Sequence, residues 1–330
     1  MSELPIALDA MGGDKAPQEI VDGALQAFHE FGLQSILVGK REEVEPLSGG
    51  ELEIFHASEV ISMHDDPAKA TRSKKDSSLV RSAELVRDFK ASAMVSAGNT
   101  GAAMASALFR MGRIKGVARP AIATTLPIPG HTPTVLLDSG ANAECQPEWL
   151  LQFAEMGAVF SKVRYGIKRP KVALLSIGEE SSKGTPLVKS THAMIKEKAQ
   201  STDLFEFIGN VEGRDLLDAV ADVVVTDGFT GNVALKTLEG SLKFFMKTLF
   251  NVMQTNDESK SASDILLKYL LPVASELDPD ATGGAMLLGV QGICIISHGS
   301  SSAKAIVSAL KVADELSKHN IVDQLRAAVS

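Results

Sequence analysis

The chain has 330 residues, enough for one large α/β domain or two modest ones. Its apolar fraction of 45% and charged fraction of 22% are those of an ordinary globular protein, which excludes extensive disorder. A formal net charge of −8 argues against binding to nucleic acid. The two cysteines lack a CxxC spacing and indicate a reducing compartment, and the first residues do not resemble a signal peptide.

Two stretches are nearly free of charge, residues 91–109 and 281–303. Both are rich in Gly, Ser, Thr and Asn, whose polar groups a bilayer would leave without partners. We therefore expect buried strand–turn–helix units here and no transmembrane helix.

Short apolar runs alternate with helical patterns along most of the chain. This alternation predicts a three-layer α/β/α architecture around a mainly parallel sheet, in a single domain over 1–330 without a flexible linker. A helix is expected over Pro17–Phe31, with Asp14 as a possible N-cap and Gly32 after its end. The predicted strands are Ile6–Asp9, Ser35–Val38, Ala93–Ala97, Ala121–Thr125, Thr134–Asp138, Val172–Ile177, Phe205–Ile208, Val223–Thr226 and Ile293–Ser297.

The segment 251–280 interrupts this alternation and is expected to form a helical protrusion. Residues 256–261 have the composition of a loop, and Ser261 to Asp264 resembles a capping box for the helix that follows. That helix has a narrow polar stripe and a broad apolar surface. The pattern fits either a helix hairpin in a dimer core or contact with a membrane surface.

Positive charge is concentrated in two short runs that contain no acidic residue. Such runs are either solvated surface or a local docking site for an anionic ligand or an acidic partner. They comprise Lys69, Arg72, Lys74 and Lys75 in the first, and Arg110, Arg113, Lys115 and Arg119 in the second.

Seven predicted strands end in polar turns that contain glycine. Carboxyl ends of parallel strands meet at one edge of a sheet, so we expect these turns to form a single pocket rich in hydrogen-bond donors. Glycine lets the backbone approach a ligand, and helix N-termini favour anions such as phosphate. The turns are 9–14, 96–101, 138–142, 177–184, 209–213, 227–232 and 298–301.

Several other chemistries lack their sequence signals. The chain has no GxGxxG after a strand, no GxxxxGK[ST] loop, no HxxxH pair and no GxSxG turn. His298, at a predicted strand end, is the best candidate for an acid or base, although it fits a structural hydrogen-bonding role equally well. Cys145 stands alone beside Gln146 and is interpreted as inert rather than as a nucleophile.

At these turns the sequence resembles the PlsX family of phosphate acyltransferases, which convert acyl-acyl-carrier-protein and inorganic phosphate into acyl phosphate. Ser176 departs from the pattern, since family members often place Asn before the Ile-Gly-Glu-Glu stretch. The matching segments are Asp9–Asp14, Lys74–Ser78, Ser96–Ala102, Arg119–Ala121, Asp138–Asn142, Gly178–Glu180 with Lys183–Gly184, Gly209–Gly213, Asp227–Asn232, Gly283–Ala285 and His298–Ser301.

The resemblance implies an isocitrate/isopropylmalate dehydrogenase-like fold, a homodimer, and no metal or other cofactor. It also implies loose association with the inner face of the membrane, where acyl phosphate is passed to a membrane glycerol-3-phosphate acyltransferase in phospholipid synthesis. The acyl donor is then an acyl carrier protein.

The chemistry of this reaction indicates which residue types are needed. Phosphate is itself a nucleophile and a thiolate leaves readily, because thiols have a pKa of only about 8.5. A covalent acyl-enzyme is therefore unnecessary, and the protein must position phosphate and stabilise the oxyanion. The candidates are Lys183, Asn232 and His298 as catalytic residues; Gly12, Gly13, Asn99, Thr100 and Asn210 as phosphate or oxyanion contacts; and Asp9, Asp138 and Asp227 as supports of the turns.

Two other classes of function stay open at this point. One is a metal-dependent nicotinamide dehydrogenase on a similar scaffold, against which the missing ribose-binding acid and carboxylate cluster argue. The other is a non-catalytic module that binds an acyl carrier or a membrane, which has no need of so many polar turns.

Overall fold

A computed structural model describes residues 4–329 and contains one eleven-stranded sheet flanked by helices. The strands are β1 (Ile6–Asp9), β2 (Ser35–Gly39), β3 (Glu53–His56), β4 (Ala93–Ser96), β5 (Ala121–Leu126), β6 (Thr134–Leu137), β7 (Lys171–Leu175), β8 (Glu206–Val211), β9 (Val223–Val225), β10 (Ala285–Leu288) and β11 (Ile293–Ile296). The helices are α1 (Gln18–Phe31), α2 (Arg41–Ser48), α3 (Pro67–Ser73), α4 (Ser78–Arg87), α5 (Thr100–Arg110), α6 (Pro147–Tyr165), α7 (Pro186–Ala199), α8 (Gly228–Met253), α9 (Asp257–Glu276), α10 (Ala303–Lys318) and α11 (Ile321–Ala328).

The strand order is β3-β2-β1-β4-β11-β10-β5-β6-β9-β7-β8. Most neighbours are parallel, but β10 is antiparallel to both β11 and β5, and β5 is antiparallel to β6. The strands from β3 to β11 therefore point one way, and those from β6 to β8 point the other way. The expectation that all seven strands end at one edge in the same direction was therefore wrong. The registers through β10 and β5 nevertheless bring the end of β11 and the end of β6 to neighbouring levels near the middle of the sheet.

Helices cover both faces of the sheet. Successive side chains of a strand point to opposite faces, so neighbouring strand residues belong to different cores. In β1, Ile6 and Leu8 belong to a core with α1, α6 and α10, whereas Ala7 belongs to a core with α4 and α5. A third, smaller core joins β6, β7 and β9 to the first turns of α8. This is the predicted three-layer α/β/α architecture, and that prediction is confirmed.

The helices α8 and α9 form an antiparallel pair at residues 228–276. In α8 the fully buried residues are Gly228, Gly231 and Met253, so most of this helix is open to solvent along its length. Helix α9 begins at Asp257 with a capping box between Asn256 and Ser259. The predicted loop at 256–261 was therefore wrong, since the side chain of Asn256 caps the helix five residues earlier than expected.

All nine predicted strands are present within a few residues of their expected bounds. Two strands were not predicted, namely β3 and β10. The turn predicted from Gly209 begins later, because Gly209 and Asn210 pair with β7 inside β8. Asp14 does not cap α1; the N-cap is Pro17, and the Asp14 amide donates to the carbonyl of Gly299 instead.

Within residues 4–329 no helix is both long and apolar enough to cross a bilayer.

Candidate functional site

A cavity of about 600 Å³ lies between α8 and β5, where the two halves of the sheet meet. We call it the α8 cavity. Its walls come from the start of α5, from β5, from one face of α8, from the end of α9 and from the turn after β11. The lining residues include Thr100, Ile122, Leu126, Ser139, Asn232, Leu235, Lys236, Leu238, Glu239, Leu242, Lys243, Met246, Ala274, Leu277, Ser297, His298, Ser300 and Ser301.

Three of the predicted site residues meet in this cavity: Thr100, Asn232 and His298. All three are exposed, so their side chains are accessible to a ligand. His298 Nδ1 lies 2.9 Å from Ser300 Oγ, and the Ser301 hydroxyl donates to the His298 carbonyl at 2.6 Å. These two bonds fix the turn after β11 and the orientation of the imidazole ring.

Asn232 is positioned by the contact between the first turn of α8 and the turn after β6. Gly231 packs directly on the backbone of Asp138, and Gly140 lies against the Asn232 side chain. The Asp227 carboxylate caps α8 by accepting from the Thr230 amide and hydroxyl, both at 2.8 Å. A rigid helix start thus holds the Asn232 amide at the cavity.

Asp138 ties β5 to the same turn. Its Oδ1 accepts from the amides of Ile122, Gly140 and Ala141 at 3.0, 3.1 and 2.9 Å. Its Oδ2 accepts from the Asn142 amide and side chain at 2.8 and 2.9 Å. Five hydrogen bonds occupy this fully buried carboxylate, so its geometry suits bracing the turn rather than contacting a substrate.

The turns after β1, β4 and β11 pack on one another beside the cavity. Gly12 lies against Gly98, and Gly13, with φ of 117°, lies against the Gly299 carbonyl. Asp9 is buried beneath them, accepts from the Ser96 hydroxyl at 2.7 Å and has a pKa that burial raises. None of Gly12, Gly13 and Asp9 lines the α8 cavity.

The side chain of Asn99 is committed to the protein itself. Its Oδ1 caps α5 by accepting from the Ala102 amide, and its Nδ2 donates to the carbonyls of Ser62, Met63 and Asp65. Asn99 therefore holds the 62–65 loop beside α5, and its amide has no donor left for an anion in this arrangement.

Lys183 and Asn210 belong to the half of the sheet formed by β6 to β8, the half whose strand β9 precedes Asn232. Asn210 donates to the Glu180 carbonyl at 2.9 Å and contacts His192 Nδ1 at 2.9 Å. Lys183 is exposed, with its stem beside Gly178 in the turn after β7. Neither residue lines the α8 cavity. Because β7 and β9 are parallel neighbours, the turn that carries Lys183 lies at the same edge as the turn that carries Asn232.

The cavity also contains polar residues that were not individually singled out from the sequence. Ser139, Ser300 and Ser301 line its polar end, and the hydroxyl of Thr124 lies 2.5 Å from that of Ser139. The three serines lie in two of the predicted polar turns, 138–142 and 298–301, so the sequence pattern could have identified them as candidate site residues. Thr124 is an inner strand residue, and nothing in its local pattern distinguishes it from a core position.

The two cysteines are both poor nucleophiles. Burial is the main reason that the pKa of Cys145 rises to about 12, with the carboxylates of Asp138 and Asp227 adding to the shift. Burial alone raises the pKa of Cys294 to about 12. Since the thiolate is the reactive form, neither thiol is activated. No group of three His, Cys, Asp or Glu side chains that could hold a metal occurs over residues 4–329.

The two basic runs each contain both paired and free charges. Arg110 lies 3.5 Å from Glu84, Arg113 donates to the carbonyls of Val117 and Ala118, and Lys74 pairs with Asp65 at 2.6 Å. Lys69 and Lys75 are exposed and have no ion pair within the described residues. Lys115 and Arg119 of the second run are likewise exposed and have no ion pair among the described side chains, and the Arg119 guanidinium lies over the Trp149 ring. Each run therefore retains free positive charge.

Comparison with known proteins gives a consistent result over almost the whole chain. Residues 4–324 match the family model described as fatty acid synthesis protein. A phosphate acyltransferase of Dictyoglomus turgidum is 48% identical over 325 residues, covering 96% of this chain and 94% of the relative. A phosphate acyltransferase of Leptospira biflexa is 42% identical, covering 97% and 95%.

Solved structures with the same fold are more distant in sequence. A phosphotransacetylase from Streptococcus pyogenes has a TM-score of 0.63 at 18% identity, covering 95% of this chain and 94% of that one. EutD phosphotransacetylase from Staphylococcus aureus has a TM-score of 0.61 at 16% identity, covering 96% and 94%. A 4-hydroxythreonine-4-phosphate dehydrogenase from Klebsiella pneumoniae has a TM-score of 0.53 at 12% identity, covering 96% and 100%. The predicted dehydrogenase-like fold is thereby confirmed.

Proposed function

The chain belongs to the phosphate acyltransferase (PlsX) family, and from this we propose that it transfers a fatty acyl group from acyl-carrier protein to inorganic phosphate. The product, an acyl phosphate, then serves phospholipid synthesis. The observation that carries this proposal is the composition of the α8 cavity. One end holds Thr100, Asn232 and His298, and the rest is lined largely by aliphatic side chains. A long-chain acyl phosphate has the same division between a polar head and an apolar tail.

The reaction is a direct displacement at the thioester carbonyl. A phosphate oxygen forms a bond to the carbonyl carbon, the carbonyl oxygen becomes an oxyanion, and the carbon–sulfur bond then breaks. The carrier leaves as a thiolate that takes a proton from water, which requires no strong acid because thiols have a pKa of about 8.5.

The polar end of the cavity supplies what this displacement needs. The Thr100 hydroxyl, the Asn232 amide and the His298 imidazole provide hydrogen bonds to the phosphate and the oxyanion. Phosphate and thioester are bound at the same time when the displacement takes place. The rate acceleration therefore comes from the positioning of the two substrates and from hydrogen-bond donors that are already in place. Residues Asp138 and Asp227 hold the turns that carry these donors.

We place the docking surface for the acidic carrier protein on α3. Pro67, at the start of α3, packs on Gly101 beside Thr100, so α3 borders the polar end of the cavity. Lys69 and Lys75 are exposed and unpaired among the described side chains, as an electrostatic contact with an acidic partner requires. A carrier bound here would have its thioester close to Thr100.

We further propose that α8 and α9 form the interface of a homodimer. Eleven of the nineteen exposed large apolar residues of the described chain lie on these two helices, whereas exposed apolar residues elsewhere are scattered. The eleven are Phe229, Val233, Phe244, Phe245, Phe250, Val252, Ile265, Leu266, Tyr269, Leu271 and Val273. Replacing both Phe244 and Phe245 with Glu should shift the protein to a monomer on light scattering; an unchanged mass would place the interface elsewhere.

We also propose that the protein associates peripherally with the inner face of the membrane. There it delivers acyl phosphate to a membrane glycerol-3-phosphate acyltransferase. An acyl phosphate retains a long apolar tail, which favours transfer at a membrane surface over release into water. Flotation with liposomes of anionic lipid tests this association, and protein that stays at the bottom of the gradient contradicts it.

The reaction itself is tested with purified protein, palmitoyl-acyl-carrier-protein and phosphate, with acyl phosphate trapped as its hydroxamate. We expect hydroxamate only when both substrates are present, and little from palmitoyl-coenzyme A. No hydroxamate with the carrier substrate would overturn the proposal. Equal rates with coenzyme A would contradict the choice of donor while retaining phosphate as acceptor.

A further inference from the structure

The α8 cavity follows one face of a single helix over several turns. Its lining includes Asn232, Leu235, Leu238, Leu242 and Met246, which recur at the spacing of one face of an α-helix. Asn232 and Met246 are fourteen residues apart, which corresponds to about 21 Å along the axis. The cavity is thus elongated, with Asn232 at one end and Met246 at the other.

The chemistry of the lining changes along this axis. At the Asn232 end stand Thr100, Ser139 and His298. Leu235 and Leu238 come next and pack towards Leu126 in the third core. Beyond them the helix contributes Leu242 and Met246, and α9 contributes Ala274 and Leu277.

Three charged side chains of α8 also line the cavity. Lys236 and Lys243 are exposed, and Glu239 is half-buried and paired with Lys236 at 2.7 Å. The aliphatic residues of α8 that line the cavity are each half-buried, as expected of walls that border a partly open cavity. The two lysines therefore lie at the rim of the cavity, whereas the apolar residues form most of its floor and Glu239 enters it as a neutralised pair with Lys236.

We infer that α8 acts as a ruler for the acyl chain, an inference that rests on the proposed acyl transfer. The thioester carbonyl lies at the Asn232 end, and the chain runs along Leu235, Leu238 and Leu242 towards Met246. Each methylene that enters the apolar floor strengthens binding about fourfold. Chain-length preference is then set by how far along α8 the floor stays open.

Bulky substitutions at successive levels of α8 test this arrangement. The substrates are hexanoyl, decanoyl, myristoyl and stearoyl carrier protein. Met246→Trp should lower kcat/KM for stearoyl relative to decanoyl substrate at least tenfold. Leu235 is close to the polar end, so Leu235→Trp should already lower kcat/KM for decanoyl relative to hexanoyl substrate at least tenfold. Met246→Ala should shift the optimum towards longer chains.

Thr237→Trp is the matched control, since Thr237 is an exposed residue of α8 that does not line the cavity. It adds the same bulk to the same helix and should leave the chain-length profile unchanged. Circular dichroism and light scattering verify that each variant is folded and has the wild-type mass.

The outcomes separate this inference from the proposed function. If wild-type protein produces no acyl phosphate from any of the four substrates, the proposed reaction fails. If the wild-type protein is active but Leu235→Trp and Met246→Trp slow all chain lengths equally, or Thr237→Trp changes the profile as they do, the ruler is wrong and the reaction stands.

Discussion

Gly231, in the first turn of α8, lies so close to the backbone carbonyl of Asp138 that a β-carbon there would overlap the oxygen. The next residue is Asn232, so this contact decides where the side-chain amide enters the cavity. The Asp138 carboxylate accepts five hydrogen bonds, which fix the turn after β6. The first turn of α8 therefore packs against a rigid part of the structure.

The first prediction concerns this contact. Gly231→Ala should destabilise the protein by about 1–3 kcal/mol, the usual cost of overpacking, and should lower turnover by displacing Asn232. Gly240→Ala is the control on the same helix, because a β-carbon there meets nothing within 4 Å. It should stabilise the protein by up to about 1 kcal/mol, since alanine favours helix over glycine. Urea unfolding measures both, and a stabilising effect of Gly231→Ala would contradict the contact.

The second prediction separates two of the predicted catalytic residues. Asn232→Ala should reduce kcat about 10²-fold, the cost of removing one fixed oxyanion donor. Lys183→Ala should reduce it less than tenfold, because Lys183 does not line the α8 cavity. Steady-state assays with hydroxamate detection measure both. Equal losses at the two positions would mean that the reaction site includes the turn after β7.

Cys145 gives a third prediction. Its thiol has a pKa of about 12, so it is almost wholly protonated and unreactive near neutral pH. Cys145→Ala should therefore leave turnover within a few-fold of the wild-type value. Initial-rate plots for carrier substrate and phosphate should intersect, as two substrates bound together require. Parallel lines, or an acyl group trapped on Cys145, would refute direct attack by phosphate.

The carrier surface gives a fourth prediction. Charge reversal at Lys69 and Lys75 should raise KM for the acyl carrier and leave KM for phosphate unchanged. The effect should shrink with added salt, because the Debye length is only about 10 Å at 0.1 M. Reversal at Lys168 and Lys196, exposed lysines near the other end of the sheet, is the control. An equal rise in the control variant would show an effect of net charge and not of a docking surface.

The fifth prediction concerns stability against pH. Two hydrogen bonds from Ser58, at 3.0 and 2.5 Å, and one from Arg81 at 2.8 Å lower the pKa of Asp76 to about 2 from an ordinary value of 3.8. The carboxylate thus contributes stability that is present above about pH 4 and is lost as the pH falls towards 2. The difference in unfolding free energy between wild type and Asp76→Asn should therefore shrink between neutral pH and about pH 3. A difference independent of pH would contradict this origin.

The sequence was sufficient to predict most of the sheet but not its directions. Local apolar runs revealed nine strands, because buried parallel strands are continuous in hydrophobicity. Strand β3 was missed since Glu53 and His56 are exposed at the sheet edge. Strand β10 was missed because Ala-Met-Leu-Leu fits a helix as well as a strand. The direction of the sheet reverses between β5 and β6, because β10 is antiparallel to both of its neighbours and leaves β11 and β5 pointing the same way. Both β5 and β6 were predicted, so the error about a common direction lies in their antiparallel pairing, which the pattern of each strand alone does not show.

The site was partly predictable for a related reason. Turn residues at strand ends identified Thr100, Asn232 and His298, which do meet in one cavity. The sequence could not show that the Asn99 amide is used up by three carbonyls of the 62–65 loop, since that pairing joins residues more than thirty positions apart. Long-range pairing of this kind has no local signal, and the same holds for Asn210 and Glu180.

The two antiparallel steps around β10 also govern how the chain can be assembled during synthesis. The centre of the sheet joins β4 and β5, made early, through β11 and β10, made more than 150 residues later. Until residues 285–296 leave the ribosome, β4 and β5 both remain as open edges with unpaired backbone groups. A chain that ends before residue 285 should therefore form two unconnected half-sheets and aggregate through those edges, whereas loss of α11 leaves the central pairing intact.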